Sequence, residues 1–269
     1  MKHMLNSLLT YTQNLESKVK ESIPGVIELD EEAIHDFRVA LKKTRTVLYF
    51  LHYMSYGEAK TTGIMSQLRP IYGKMGKIRE LQTHKTLVPV LGDLSGLDIE
   101  FLDKKINYQI IRNKPFMEKY SKAFKRKIPG IYKKIYTHIK KAEKGRTRTD
   151  AAADFQIILG RRIQKQISSG SPDLHQVRKA LKQQVYIFDA FQESELLSFY
   201  KEFRAEWKIL ESTIGAWHDQ LIFREWLIPG LKWKRLNDAQ YKTMIKLISY
   251  LRSSTGRMEK ELVKSIRRK

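Results

Sequence analysis

His35-Asp36-Phe37-Arg38, followed by Lys42, recurs as His175-Gln176-Val177-Arg178, followed by Lys182, at an offset of 140 residues. Downstream, Met75-Gly76-Lys77-Ile78-Arg79-Glu80 recurs as Ile214-Gly215-Ala216-Trp217-His218-Asp219, at an offset of 139. Two separate blocks that keep one spacing point to a duplicated unit. The 269 residues are therefore expected to form a single domain, 1–269, built from two related halves, 1–145 and 146–269. The junction falls near Gly145-Arg146-Thr147-Arg148-Thr149-Asp150, a polar segment of linker composition. Copies of one helical unit packed face to face leave a cleft between them.

Each half reads as helix. Seven prolines and 14 glycines punctuate the chain sparsely, and apolar residues return every three or four positions, as on a helix with one buried face. Helices are expected over 3–20, 31–56, 60–90, 100–127, 130–144, 151–168, 171–192, 195–228 and 238–266. Asp30 is placed to cap the second, with Glu31 and Glu32 at the positive end of its dipole. Ser171-Pro172-Asp173 announces another start. Val26-Ile27-Glu28-Leu29 is the best strand candidate and is too short to found a sheet. The fold class is all-α.

Charge narrows the function. The chain carries 51 Lys and Arg against 29 Asp and Glu, a net +22 that repels itself in a folded state unless a polyanion neutralises it. Residues 103–148 alone hold 16 basic and three acidic side chains. Tyr108, Phe116, Tyr120, Phe124, Tyr132 and Tyr136 are interleaved there. These read as amphipathic helices with buried aromatics and solvated lysines, whose summed field steers anions. Cysteine is absent, and no apolar run approaches the roughly 18–20 residues that cross a bilayer. A cytoplasmic protein without membrane insertion is expected.

The repeated blocks carry a sharper pattern. On a helix, His35, Arg38, Lys42 and Arg45 fall within a stripe about 80° wide and roughly 15 Å long. No carboxylate interrupts it, whereas a solvated charged face ordinarily mixes signs at four-residue spacing. Lys43 flanks the stripe. The second copy offers His175, Arg178 and Lys182, with Lys179 at the edge and Val185 where Arg45 would repeat. Arg69 and Arg79, like Lys208 and His218, lie ten residues apart and add cations to the second block. Gly76 and Gly215 precede Arg79 and His218 by three residues. A mid-helix glycine costs about 1 kcal/mol against alanine, so close packing against another backbone is expected there.

The string His35-x-x-Arg38-Val39-Ala40-x-Lys42-Lys43-x-Arg45, with Met75-Gly76-x-x-Arg79-Glu80-Leu81, resembles the first half of the CHAD domain family. His175-x-x-Arg178-Lys179-Ala180-x-Lys182, with Ile214-Gly215-x-x-His218-Asp219, resembles the second half. The resemblance implies two pseudo-symmetric, antiparallel four-helix-bundle halves around a basic central cavity. It also implies binding of inorganic polyphosphate and association with polyphosphate granules. Val185, and Glu80-Leu81-Gln82 in place of an Asp-Leu-Asp pattern, depart from the family. No Glu-x-Glu-x-Lys signature of an attached triphosphate-hydrolysing domain is present.

The expected ligand is thus a linear polyphosphate held by His35, Arg38, Lys42, Arg45 and Arg79 from one half and His175, Arg178, Lys179, Lys182 and His218 from the other. Lys43, Arg69 and Lys208 flank them. No catalytic residue, metal or cofactor is expected. Binding should strengthen below about pH 6.5 as histidines protonate beside an anion. RNA or single-stranded DNA is the alternative ligand, but such binders combine basic and aromatic side chains in one groove, and neither stripe contains an aromatic. A metal-dependent phosphohydrolase is the third reading, suggested by the His35-Asp36 and His218-Asp219 dipeptides. It lacks further ligands at metal-binding spacing. Trp207, Trp217, Trp226 and Trp233 read as core or cavity-wall residues.

Overall fold

The computed structural model describes residues 2–144, 150–191, 201–234 and 236–267, and among them nine α-helices and no strand. They are α1 Lys2–Ile27, α2 Glu31–Met54, α3 Thr62–Ser95, α4 Phe101–Arg112 and α5 Lys114–Lys144. After the 145–149 segment come α6 Ala151–Ile167, α7 Leu174–Ala190, α8 Lys201–Gly230 and α9 Asp238–Arg267. The linker at 145–149 and the expected helix start at 195 lie outside the described residues.

The caps form as their side chains require. The Asp30 carboxylate accepts the Ala33 N–H at 2.7 Å, and that of Asp173 accepts the Gln176 N–H at 3.1 Å. The one strand candidate is not a strand, and one expected helix break is misplaced. Val26-Ile27-Glu28-Leu29 is no strand, because α1 runs through Pro24 to Ile27 and buries Val26 on its apolar stripe. The α4–α5 break falls at Asn113, and α5 continues through Pro129. Met117, Phe124, Ile128, Ile131, Tyr132, Ile135 and Ile139 form one unbroken buried face across that proline. Burial of this face outweighs the roughly 3 kcal/mol that an interior proline costs.

Three apolar clusters hold the helices together. The first joins α1, α2, the first part of α3 and α5 to Phe155 and Leu159 of α6 and Ile187, Phe188 and Phe191 around the end of α7. The second packs the end of α3 and α4 against Phe223 and Leu227 of α8 and Met244, Leu247 and Leu251 of α9. The third seats Leu174, Val177 and Leu181 of α7 on Ile214 and Trp217 of α8 and on the end of α9. Trp226 and Trp233 pack on the second cluster and Trp207 on the third. Two of the three clusters draw residues from both sides of position 145. This packing also sets α2 against α7, so the two cationic stripes meet.

Candidate anion-binding site

Where α2 meets α7, Lys42 feels the charges of Lys182, Arg38 and Arg178, and Lys182 feels that of Arg178. Burial, then Lys182, Arg38 and Arg178, lower the Lys42 ammonium to about 7. Burial and Arg178 lower Lys182 as well. Lys42 has no carboxylate within ion-pair distance among the described residues. Lys182 has one: Glu211 of α8 accepts from its Nζ and from Arg178 Nε, each at 3.0 Å. Glu211 is absent from both stripes and reaches them only through the packing of α8 on α7.

The arginines are set by the two glycines. A Cβ on Gly76 would stand 2.9 Å from Arg38 Nη1, and one on Gly215 would stand 2.8 Å from Arg178 Nη2. Arg38 Nη1 donates to the Tyr72 carbonyl at 3.0 Å, and its guanidinium lies 4.7 Å from the Tyr72 ring centroid. The expected close approach to each glycine is real, but a guanidinium makes it and not a backbone. The same contact recurs at both copies.

Beside this crossing lies a cavity of about 810 Å³. Lys42 and Arg45 of α2 and His175, Arg178, Lys179 and Lys182 of α7 line it. So do Arg162 and Lys165 of α6, which fall outside the repeated motifs and were not anticipated. Ile158, Arg162, Lys165 and Gln166 share one face of α6, a four-, three-, one-residue spacing that was legible but lacked a second copy. Tyr49, Tyr53, Tyr72 and Tyr186 also line the cavity. The expectation of a groove without aromatics is therefore corrected. Consecutive turns of α2 carry Arg45, Tyr49 and Tyr53, so the stripe changes chemistry where the repeated motif stops.

Residues 98–228 match the family model of the CHAD domain. The CHAD domain from the plant Ricinus communis has the same fold over 98% of this chain and 90% of its own, with a TM-score of 0.69 at 14% identity. Residues 98–228 of this chain are similar to a CHAD domain, and the chain shares the fold of one. PptA from Streptomyces chartreusis shares the fold too, over 98% of this chain and 99% of its own, with a TM-score of 0.65 at 14% identity. No curated protein matches the chain. The region matched by the family model contains the α7 stripe and Gly215, whereas the α2 stripe precedes it.

The CHAD fold does not bring every expected residue to the cavity. His35 is exposed and outside the lining, yet Lys42 and Lys182 reach it electrostatically. Arg79, also outside, donates to Glu31 at 2.7 Å. His218 stacks on His175 with centroids 5.0 Å apart and planes 16° from parallel, adding a ring to the site's edge. Burial, helped by Arg79 at His35 and by Lys179 at His175, holds both imidazoles below their ordinary range. The histidine response is thereby displaced below pH 6.5 in the free protein. Lys43 pairs with Asp189 at 3.2 Å, and Arg204 holds the same carboxylate at 2.8 Å. Arg69 and Lys208 are exposed and do not line the cavity.

The His-Asp dipeptides do not form a metal cluster: no three His, Asp or Glu side chains converge among the described residues. His84 sits in the second core against Phe223 and Trp226, and burial lowers it to about 4. No helix among the described residues is long and apolar enough to cross a membrane.

Proposed function

We propose that this CHAD-like domain binds inorganic polyphosphate, without catalysis, in the cavity between the α2 and α7 stripes. One observation carries the reading. Lys42, Lys182, Arg38 and Arg178 share a part-buried site whose single ion-pairing carboxylate among the described residues is Glu211. Holding like charges together out of water is unfavourable unless another negative charge arrives. A phosphate chain supplies such charge at regular spacing and offers only acceptor oxygens. Arginine forks and lysine ammonium groups match that chemistry.

Lys42, Arg45, Arg178, Lys179 and Lys182 hold the chain, with Arg162 and Lys165 extending the wall and Arg38 adding its charge from outside the lining. His35, His175 and His218 tune the rim. The exposed lysines of α4 and α5 raise encounter rates without making specific contacts. The two repeats act as one domain, in a cytoplasmic protein that associates with polyphosphate granules. Calorimetry with size-defined polyphosphates, and with RNA of matched charge at the same salt, tests the reading. Polyphosphate affinity should increase with length until the cavity is filled. Tighter RNA binding at equal charge would replace polyphosphate by nucleic acid.

A further inference from the structure

The cavity has two chemically different ends. Lys42, Lys182 and Arg178 cluster at the α2–α7 crossing. At the other, Tyr53 of α2 meets Phe155 of α6 with ring centroids 5.4 Å apart. Lys42 and Tyr53 are eleven residues apart, about 16 Å along α2. Lys42, Arg45, Tyr49 and Tyr53 stay on one face about 80° wide. A bare phosphate chain has a use for the first end and none for the second.

The aromatic residues are not equivalent. Arg38 and Arg45 cover the Tyr72 ring at 4.7 and 5.2 Å, and Lys43 lies 5.5 Å from that of Tyr186. Tyr49 differs: it lines the cavity, is 39% exposed, and has no stacking or cation–π partner among the described residues. Its neighbours in the wall, Tyr53 and Phe155, close the cavity with aromatic surface. Arg162 and Lys165 stand on the α6 wall. A volume of about 810 Å³ is of the size that holds whole small molecules.

We infer that the cavity accepts a nucleoside polyphosphate, with its phosphates on the Lys42–Lys182 end and its base stacked on Tyr49. The inference rests on the anion-binding reading above and adds the class of group carried by the phosphate chain. Stacking tolerates any base because each has a π-face.

The test titrates the full chain with ATP, with inorganic tripolyphosphate and with a long polyphosphate, without magnesium and at one salt concentration. ATP should bind more tightly than tripolyphosphate, which has as many phosphates and no base. Tyr49→Ala should weaken ATP by at least about fivefold and leave tripolyphosphate unchanged. Tyr49→Phe should restore ATP affinity. Equal loss for both ligands in Tyr49→Ala, or tripolyphosphate binding as well as ATP, overturns the inference. If only long polyphosphate binds, the nucleotide inference fails while the polyphosphate reading stands. If none binds, both fail. An unchanged thermal midpoint in Tyr49→Ala excludes a folding defect.

Discussion

Arg178 and Gly215 occupy one space: the Arg178 guanidinium stands where a side chain on Gly215 would begin. Arg38 and Gly76 repeat this relationship. Gly215→Ala gains about 1 kcal/mol of helix propensity and forces the guanidinium to move. Arg178 then loses its alignment on Glu211. Helical content should persist and the thermal midpoint should shift by only a few degrees, while polyphosphate affinity falls about tenfold. Unchanged affinity in calorimetry would show that the position of Arg178 is not used.

In the proposed binding mode Lys42 should make affinity depend on pH. In the free protein its ammonium titrates at about 7, and a bound polyanion raises that value by favouring the charged form. Above pH 7 the ligand must therefore bring a proton with it, and affinity should fall by up to about tenfold per pH unit from this group. Stability of the free protein runs the other way. Between about 7 and the ordinary lysine value the unfolded chain holds the proton and the folded one does not, so this group's contribution to stability rises with pH. Titration at pH 8 in buffers of different ionisation enthalpy should reveal proton uptake. Lys42→Arg should reduce it, because arginine stays charged.

In the proposed binding mode Glu211 should compete with the ligand. It is the internal counter-ion of Arg178 and Lys182. Glu211→Gln removes the competing charge, leaves the cations crowded and should destabilise the free protein. Measured at pH 6, below the value of about 7 for Lys42, polyphosphate affinity should rise about tenfold. A loss of affinity with intact folding would instead assign Glu211 to holding the cations in place.

Paired lysines separate a built site from diffuse attraction. Replacing Lys42 and Lys182 together by alanine should weaken polyphosphate binding by about 100-fold or more, since two part-buried charged hydrogen-bond donors are lost. Replacing Lys122 and Lys127 on the exposed face of α5 should cost no more than about threefold at physiological salt, where exposed charges are screened. Equal losses would reduce the interaction to nonspecific electrostatics.

The helical architecture was legible because apolar periodicity reports directly which face of a helix is buried. That is why α2, α6, α7 and α9 fall close to their expected ranges. The expected helix ends at 20 and 127 were too early because α1 and α5 continue through Pro24 and Pro129, and the burial that offsets a proline's local cost depends on distant partners. The cationic stripes were legible for the same reason as the helices. A side chain's direction from its own helix axis follows from spacing alone, so Lys42 and Arg45, and Arg178 and Lys182, reach the cavity together.

What the sequence by itself determined is therefore local and periodic: the helices, the duplicated motifs, the like-charged faces and the glycines inside the helices. Tertiary structure decided what those faces meet. It set Glu211 between Arg178 and Lys182, put the guanidinium groups against the glycines, brought Arg162 and Lys165 across from α6, and turned Arg79 onto Glu31. The physical reason is that periodicity fixes direction around one axis, while electrostatic environment depends on distances between axes, which only the packed core supplies.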